Sequence, residues 1–234
     1  MSDLVILLPT RNEEKGISEV IDRIPRKIII EKGYNPRIVV VDGHSSDSTC
    51  EIAQSMGAEL IKQNGSIGKG NGVREALDIL IDKKSNPNGD LLIMLDADAT
   101  YSPEDIPRFI EFLHEKEVVW GSRMRGEMEK QAMSPINKLG NKILSLTASI
   151  LFFKRTTDLC TGYWGFRIDA LKKLKLTAEG FNLEADLFSS VVNEKMSTKE
   201  IPIEYAHREG QSTLKWYRDG PRIFFMTVKK RLFS

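Results

Sequence analysis

Short apolar runs alternate along the first half of the chain with segments whose apolar residues recur at helical spacing. The runs are continuously apolar, which is typical of strands buried on both faces of a parallel sheet. The predicted strands are DLVILLP (3–9), RIVVVD (37–42), AELIKQ (58–63), DLLIMLD (90–96) and EVVWGS (117–122), and the predicted helices cover 13–26, 46–56, 67–81 and 103–114. This order predicts an α/β fold with a mainly parallel central sheet and helices on both faces.

The second half of the chain changes character but keeps periodic segments. A helix is predicted over 134–153, a second helix over 179–194, a strand over 199–205 and a basic, aromatic-rich tail over 216–234. The apolar positions of the first helix, spaced three or four apart, are Ile136, Leu139, Ile143, Leu146, Ile150 and Phe153. We expect one domain, 1–234, because 234 residues are long for one small domain and short for two.

Composition and charge exclude several kinds of function. Charged residues make up 29% of the chain but cancel to a formal net charge of +1, whereas nucleic-acid-binding proteins usually concentrate a basic excess. The N-terminal apolar run covers only 4–8, and no run approaches the ~18 residues that would cross a bilayer. We therefore expect no nucleic-acid partner, no signal peptide and no spanning helix.

Polar side chains follow the predicted strands where the strands end. The segments are PTRNEE, DGHSSDST and DADATYSPED, and a parallel sheet brings them to one crevice. Asp96 and Asp98 stand two apart, so both side chains can lie on the same side of an extended strand end. Two such carboxylates suit Mg²⁺ or Mn²⁺, which in turn clamps phosphates. The alternative is an acidic turn, because Asp is common where strands end.

The segment GSIGKGNGVREAL (65–77) is a glycine-rich start of a helix. Backbone N–H groups at such a start, together with Lys69, could hold an anionic phosphate. The spacing matches neither a P-loop nor a dinucleotide-binding fingerprint. The alternative is an ordinary loop.

The ordered set of motifs resembles glycosyltransferase family 2, with the type-A glycosyltransferase fold, and is most similar to the dolichyl-phosphate (polyprenyl-phosphate) sugar synthases. The motifs are PTRNEE, VVVDGHSSDST, GKGNGVREAL, LDADATYSPED, VVWGSR, DLCTGYWGFR, GFNLEADL and REGQSTLKW. The resemblance implies that 1–121 binds a nucleotide sugar and 122–215 the acceptor. On the donor side it implies substrate contacts by Pro9, Arg11, Glu13, Asp42, Lys69, Gly70, Asp96 and Ala97, with Asp96 and Asp98 on a divalent ion.

On the acceptor side, the resemblance implies a phosphate ligand at Arg123, assisted by Lys138. It also implies that Arg208 meets the donor diphosphate, with Ser212 beside it. The implied reaction is inverting transfer from a UDP- or GDP-linked sugar to dolichyl or polyprenyl phosphate. The alternative is a soluble or glycan acceptor, for which Glu184, Asp186 or Asp158 would be needed as a general base. A third hypothesis is a nucleotidyl-transferring protein. Such proteins usually have a glycine-rich loop after the first strand, and the segment PTRNEE at that place has no glycine.

A polyprenyl acceptor lies in a bilayer, so we expect peripheral contact at the cytosolic face of a membrane. Two basic amphipathic segments, 134–153 and 216–233, could provide it. The alternative is that their apolar faces pack on the domain core. For 134–153 core packing is the favoured interpretation, and for 216–233 membrane contact is.

Overall fold

The computed structural model describes residues 1–82, 89–208 and 215–233. Its strands are β1 (Ser2–Thr10), β2 (Tyr34–Asp42), β3 (Glu59–Lys62), β4 (Leu91–Met94), β5 (Val118–Ser122), β6 (Trp164–Arg167) and β7 (Thr198–Pro202). They form one sheet in the order β3-β2-β1-β4-β6-β5-β7. Neighbouring strands run parallel except at β6, which is antiparallel to both β4 and β5. The predicted mainly parallel sheet is confirmed.

Helices cover both faces of this sheet, as predicted. They are α1 (Ile17–Arg23), α2 (Arg26–Glu31), α3 (Thr49–Ser55), α4 (Lys69–Asp82), α5 (Ile106–Leu113, after a 3₁₀ turn at Pro103–Asp105), α6 (Pro135–Phe152), α7 (Ile168–Leu171), α8 (Leu183–Asn193) and α9 (Trp216–Leu232). Successive β1 side chains enter two separate cores. Val5 and Leu7 pack on the side of α4 and α8, and Leu4 and Ile6 on the side of α1 and α5.

The helix predicted over 13–26 exists but has the wrong bounds. The structure has α1 and α2 instead, separated at Pro25. Proline has no N–H and disfavours helical backbone in the residue before it, and Ile24 is accordingly extended. The second helix, RKIIIE, lies almost wholly beyond the predicted end at 26 and was missed.

Strand β6 was also missed, because its sequence WGFR follows a glycine- and aromatic-rich segment with no alternating pattern. Its residues are nevertheless buried between β4 and β5. Gly165 is needed there because α5 approaches closely: a Cβ on it would lie 2.9 Å from Cδ1 of Phe109. Strands from both halves of the chain therefore share one sheet.

The largest departure from expectation concerns α6, whose apolar face was expected to pack on the core. That expectation is wrong. The exposed fractions of the side chains on this face are Ile136 46%, Leu139 59%, Ile143 55%, Leu146 62%, Ile150 63% and, just past the helix, Phe153 89%. The side facing the protein instead carries Asn141, Ser145, Ala148 and Phe152. We call the exposed row of six side chains the α6 apolar face.

The tail forms α9, which packs against α6 and α8 through Ile223, Met226 and Thr227. Its other side exposes Tyr217, Phe225 and, beyond the last helical turn, Phe233. None of the helices within 1–82, 89–208 and 215–233 has both the length and the apolar character needed to cross a bilayer.

Candidate active site

A cavity of about 330 Å³ opens at the carboxyl ends of β1, β2 and β4. This is where ligands bind in open α/β sheets. Its walls include most of the donor-side residues predicted from sequence: Pro9, Arg11, Glu13, Lys69, Asp96, Ala97, Asp98 and Arg208. The sequence prediction missed other residues of the wall, including Thr10, Gln63, Phe181 and Arg218.

The loop after β1 is held close to the segment after β4. Gly16 packs so tightly that a Cβ on it would lie 2.8 Å from the carbonyl oxygen of Ala97. The Glu13 backbone N–H donates to Thr49 Oγ1 at the start of α3, 2.9 Å away. These contacts fix Glu13 opposite the two aspartates.

Asp96 is paired with a lysine that a second carboxylate also binds. The ammonium of Lys69, at the start of α4, lies 2.6 Å from Asp96 Oδ1 and 2.7 Å from Glu184 Oε1, at the start of α8. Burial alone would lower the pKa of Lys69, but the two carboxylates outweigh it and raise that pKa. Burial raises the pKa of Glu184, and Lys69 opposes this. Among the described residues, Asp96 thus has a fixed positive neighbour.

Asp98 has a different cation, Arg208, which follows β7. Nη1 of Arg208 lies 2.9 Å from Asp98 Oδ2, and its Nη2 contacts Glu13 Oε1. Thr100 Oγ1 donates to the other Asp98 oxygen at 2.6 Å. Burial, followed by the neighbouring charge of Asp96, raises the pKa of Asp98. Burial also raises the pKa of Glu13 to about 7, against the opposing effect of Arg208.

The chemistry of this cluster fits a divalent cation carried by an anionic ligand. In this cluster the ion pairs join two cations to four carboxylates, so two negative charges are uncompensated when all are ionised. The cations are Lys69 and Arg208, and the carboxylates are Glu13, Asp96, Asp98 and Glu184. Over the described part of the chain, no three or more His, Cys, Asp or Glu side chains form a metal cage, so two aspartates would need ligand oxygens to complete a Mg²⁺-like sphere. Buried Nε of Arg208 has no acceptor among the described residues, which leaves one donor for such a ligand.

The cavity wall holds a further polar group that the sequence did not indicate. Thr10 Oγ1 is buried and has no partner within the described residues. Asp42 is not in the cavity wall; it accepts the Ser45 backbone N–H at 3.0 Å and so shapes the loop after β2. Gly70 is likewise absent from the cavity wall. It packs against the backbone at Ala178, since a Cβ on Gly70 would lie 2.5 Å from the Ala178 carbonyl oxygen.

Arg123 and Lys138, the predicted acceptor ligands, lie outside this cavity wall. Nε and Nη2 of Arg123 each donate to Asp158 at 2.7 Å, and Nη2 also reaches Cys160 O. Its guanidinium stacks over Tyr101 and Tyr205. Nη1 of Arg123 has no hydrogen-bond partner within the described ranges. Lys138 is exposed on α6, and Ser212 lies outside the described residues.

The loop that holds Arg123 also holds α6 in its orientation. The Asn141 side-chain amide donates to Asp158 Oδ1 at 2.7 Å and accepts from the Cys160 backbone N–H at 3.2 Å. One turn later, Ser145 Oγ accepts the Leu159 N–H at 2.9 Å. Asn141 and Ser145 therefore face the protein, and the α6 apolar face lies on the opposite side of the helix.

The α/β fold, with an acidic cavity at the carboxyl edge of the sheet, is that of a glycosyltransferase. The family profile of glycosyl transferase family 2 matches residues 5–175, and the chain belongs to that family. The resemblance drawn from the motifs is thereby confirmed.

Similar proteins agree with this assignment. The chain is 32% identical over 228 residues to glycosyltransferase AglJ of Haloferax volcanii, covering 96% of this chain and 71% of AglJ. It is also 32% identical over 228 residues to a dolichyl-phosphate hexose transferase of the same organism, covering 97% and 93%. The fold is similar to glucosyl-3-phosphoglycerate synthase from Mycobacterium tuberculosis, solved with Mn²⁺, UDP and phosphoglyceric acid (TM-score 0.76, 17% identity, 100% and 79% coverage).

Proposed function

We propose that this chain transfers a sugar from a nucleoside-diphosphate sugar to a polyprenyl phosphate such as dolichyl phosphate, for protein glycosylation or cell-surface glycan synthesis. The proposal rests on Asp96 and Asp98, which lie in the wall of a cavity at the sheet edge and each pair with a different cation. The relative named dolichyl-phosphate hexose transferase, which this chain matches over nearly its whole length, supports the acceptor class.

The donor would bind with Mg²⁺ or Mn²⁺. Asp96 and Asp98 would hold the ion, which when bound offsets negative charge on the departing diphosphate. Arg208 would leave Asp98 and bind a diphosphate oxygen, and its Nε, which has no partner among the described residues, would be a second donor for that contact. On the other side of the cavity, Pro9 and Arg11 would meet the nucleoside, and Thr10 Oγ1 would donate to or accept from it.

The acceptor phosphate is an anionic nucleophile near neutral pH, so it needs orientation more than it needs a base. Arg123 is held rigidly by Asp158, and its Nη1 is the group left to donate to a phosphate oxygen. Exposed Lys138 would add positive charge. Attack from the face opposite the diphosphate would invert the anomeric carbon.

A soluble or glycan hydroxyl acceptor is the second candidate, and it would need a general base. The three carboxylates that the sequence offered for that role are all engaged. Asp158 pairs with Arg123 and Glu184 with Lys69. Asp186 is fully buried and binds Lys230 and the Ala178 N–H. This engagement favours the phosphate acceptor.

The α6 apolar face would dock the protein on the membrane that contains the acceptor. Monomers rarely expose an apolar surface this continuous unless it binds something. The occupant we infer is an anionic lipid surface, because exposed cations border the apolar row on α6 and continue along α9: Lys138, Lys142, Arg155, Arg222, Lys229 and Arg231. The protein would then be peripheral, at the cytosolic face.

A donor panel tests the reaction. The protein is incubated with polyprenyl phosphate in vesicles, Mg²⁺ or Mn²⁺, and each of the GDP- and UDP-linked hexoses and N-acetylhexosamines. We expect lipid-linked product from one donor, lost on chelation with EDTA and in Asp98→Ala. Transfer only to a soluble acceptor would move the assignment to the second candidate.

Vesicle flotation tests the docking surface. The protein should float with vesicles containing phosphatidylserine or phosphatidylglycerol and much less with phosphatidylcholine alone. Self-association in gel filtration with no flotation on either vesicle would instead assign the α6 apolar face to a second copy of the chain.

A further inference from the structure

The two aspartates of the site are held in different ways, and the difference points to Glu184. The cation beside Asp98, Arg208, lies in a chain segment that follows the edge strand β7 and is 23% exposed. The cation beside Asp96, Lys69, is only 13% exposed and belongs to the first turn of a helix. Only Lys69 is shared with a carboxylate that is itself anchored in a helix, Glu184.

The position of Lys69 is enforced by close backbone packing. A Cβ on Gly68 would lie 2.2 Å from the Glu179 carbonyl oxygen, so only glycine permits this approach. The Asn71 N–H donates to the same carbonyl at 3.0 Å. The start of α4 is thereby pressed against the segment that leads into α8. Lys69 and Glu184, 115 positions apart, meet for this reason.

Glu184 is suited to hold a charge without meeting substrate. Its side chain is 8% exposed, and it stands in the first turn of α8, where the helix dipole favours a carboxylate. Glu184 does not line the donor cavity, whereas Asp96 and Lys69 do. Asp96 is confined from the other side by Gly162, since a Cβ there would lie 2.5 Å from Asp96 Oδ2.

We propose that Glu184 is a positioning residue: by sharing the ammonium of Lys69 it holds that lysine beside Asp96 while leaving Asp96 enough negative charge to bind a divalent ion. The inference rests on the proposed function, in which Asp96 and Asp98 are the metal ligands. Without the charge of Glu184, Asp96 is the one carboxylate of the described residues that still pairs with Lys69, which then neutralises it. Without Lys69, Asp96 keeps its full charge but loses its fixed orientation.

These two losses change metal binding in opposite directions, which gives a sharp test. Mn²⁺ binding is measured from the free-Mn²⁺ signal in electron paramagnetic resonance, with and without UDP or GDP. Each variant is compared with the wild type under the nucleotide condition in which the wild type binds Mn²⁺. We expect Glu184→Gln to weaken Mn²⁺ binding by about 10-fold, because Lys69 then neutralises one of the two carboxylates that would hold the ion. Lys69→Met should strengthen it several-fold, while turnover falls in both.

Two further variants complete the experiment. The double variant Lys69→Met/Glu184→Gln leaves no unpaired buried charge, so it should fold even if Lys69→Met does not. Because Glu184 acts on Asp96 through Lys69, the Mn²⁺ affinity of the double variant should match that of Lys69→Met, and its turnover should stay low. Asp78→Asn, which removes an exposed carboxylate from α4, is the matched control and should bind Mn²⁺ normally.

The possible failures are distinguishable. If Glu184→Gln and Lys69→Met weaken Mn²⁺ binding equally, or if the double variant binds as poorly as Glu184→Gln, Glu184 has only a structural role and the inference is overturned. If the wild type binds no Mn²⁺ with or without either nucleotide, the proposed metal site itself fails.

Discussion

Helices α5 and α6 carry the same kind of amphipathic pattern but turn it in opposite directions. In α5 the apolar residues Ile106, Phe109, Ile110 and Leu113 are at most 1% exposed and pack on the sheet. In α6 the α6 apolar face points to solvent, and Asn141 and Ser145 face the protein. By leaving six large apolar side chains out of the core, α6 forgoes on the order of 10 kcal/mol of burial.

The difference teaches that apolar spacing identifies a helix without identifying which side faces the core. In α5 no polar residue competes for the inner side. In α6 the loop over 156–160 offers backbone N–H groups and the Asp158 carboxylate, and these need polar partners. A buried polar group without a partner costs about 1–3 kcal/mol, which is similar to the gain from burying one leucine, so each partner that α6 supplies favours an inward polar side.

The largest expected effect compares one substitution at matched positions of the two helices. Ile110→Ala should destabilise the protein by about 2–5 kcal/mol, because it leaves a cavity in a packed core. Ile143→Ala removes the same atoms from a side chain that is 55% exposed and should change the free energy of unfolding by less than ~1 kcal/mol. Urea denaturation followed by circular dichroism measures both. Equal losses would mean that α6 is packed in solution.

The candidate site shows which of its residues could be predicted from the sequence and which could not. The strand ends and the two aspartates were identified because a parallel sheet must bring PTRNEE and DADATYSPED together, whereas Arg208 was identified from the family resemblance alone. The cavity contains all of them. The structural partners of those residues were not predicted. Lys69 meets Glu184 across 115 positions and Arg123 meets Asp158 across 35, and neither pairing leaves a periodic signal in the chain. Thr10 was missed because a single threonine at a strand end is unremarkable.

The second prediction concerns the polar side of α6. Asn141→Leu keeps the branched shape of the side chain but removes the acceptor of the Cys160 N–H and one donor to Asp158. We therefore expect a loss of about 1–3 kcal/mol in unfolding free energy. Asn137→Leu, four residues earlier on the same helix, is the control and should cost little. If the Asn141→Leu protein is as stable as the wild type, our explanation of why the α6 apolar face points to solvent is wrong.

A third prediction separates the two helices by membrane binding. Leu146→Gln places an amide in the middle of the α6 apolar face and should weaken flotation with anionic vesicles about tenfold, the value of roughly 1.5 kcal/mol of apolar burial. Its thermal stability should stay near that of the wild type, because this side chain is 62% exposed. On α5, Glu111→Gln changes an exposed side chain of similar length away from the α6 apolar face, and it should float normally.

The smallest effect tests the charge that borders the α6 apolar face. Lys142→Gln removes one exposed cation and should weaken binding to anionic vesicles roughly fivefold at low salt, because each basic residue near such a surface contributes about 1 kcal/mol. The difference should vanish as ionic strength rises, since screening acts within about 10 Å at 0.1 M salt. The loss in Leu146→Gln should persist at high salt, because apolar burial is not screened. If instead both losses respond to salt alike, the α6 apolar face does not enter the lipid, and its contact with the membrane is electrostatic only.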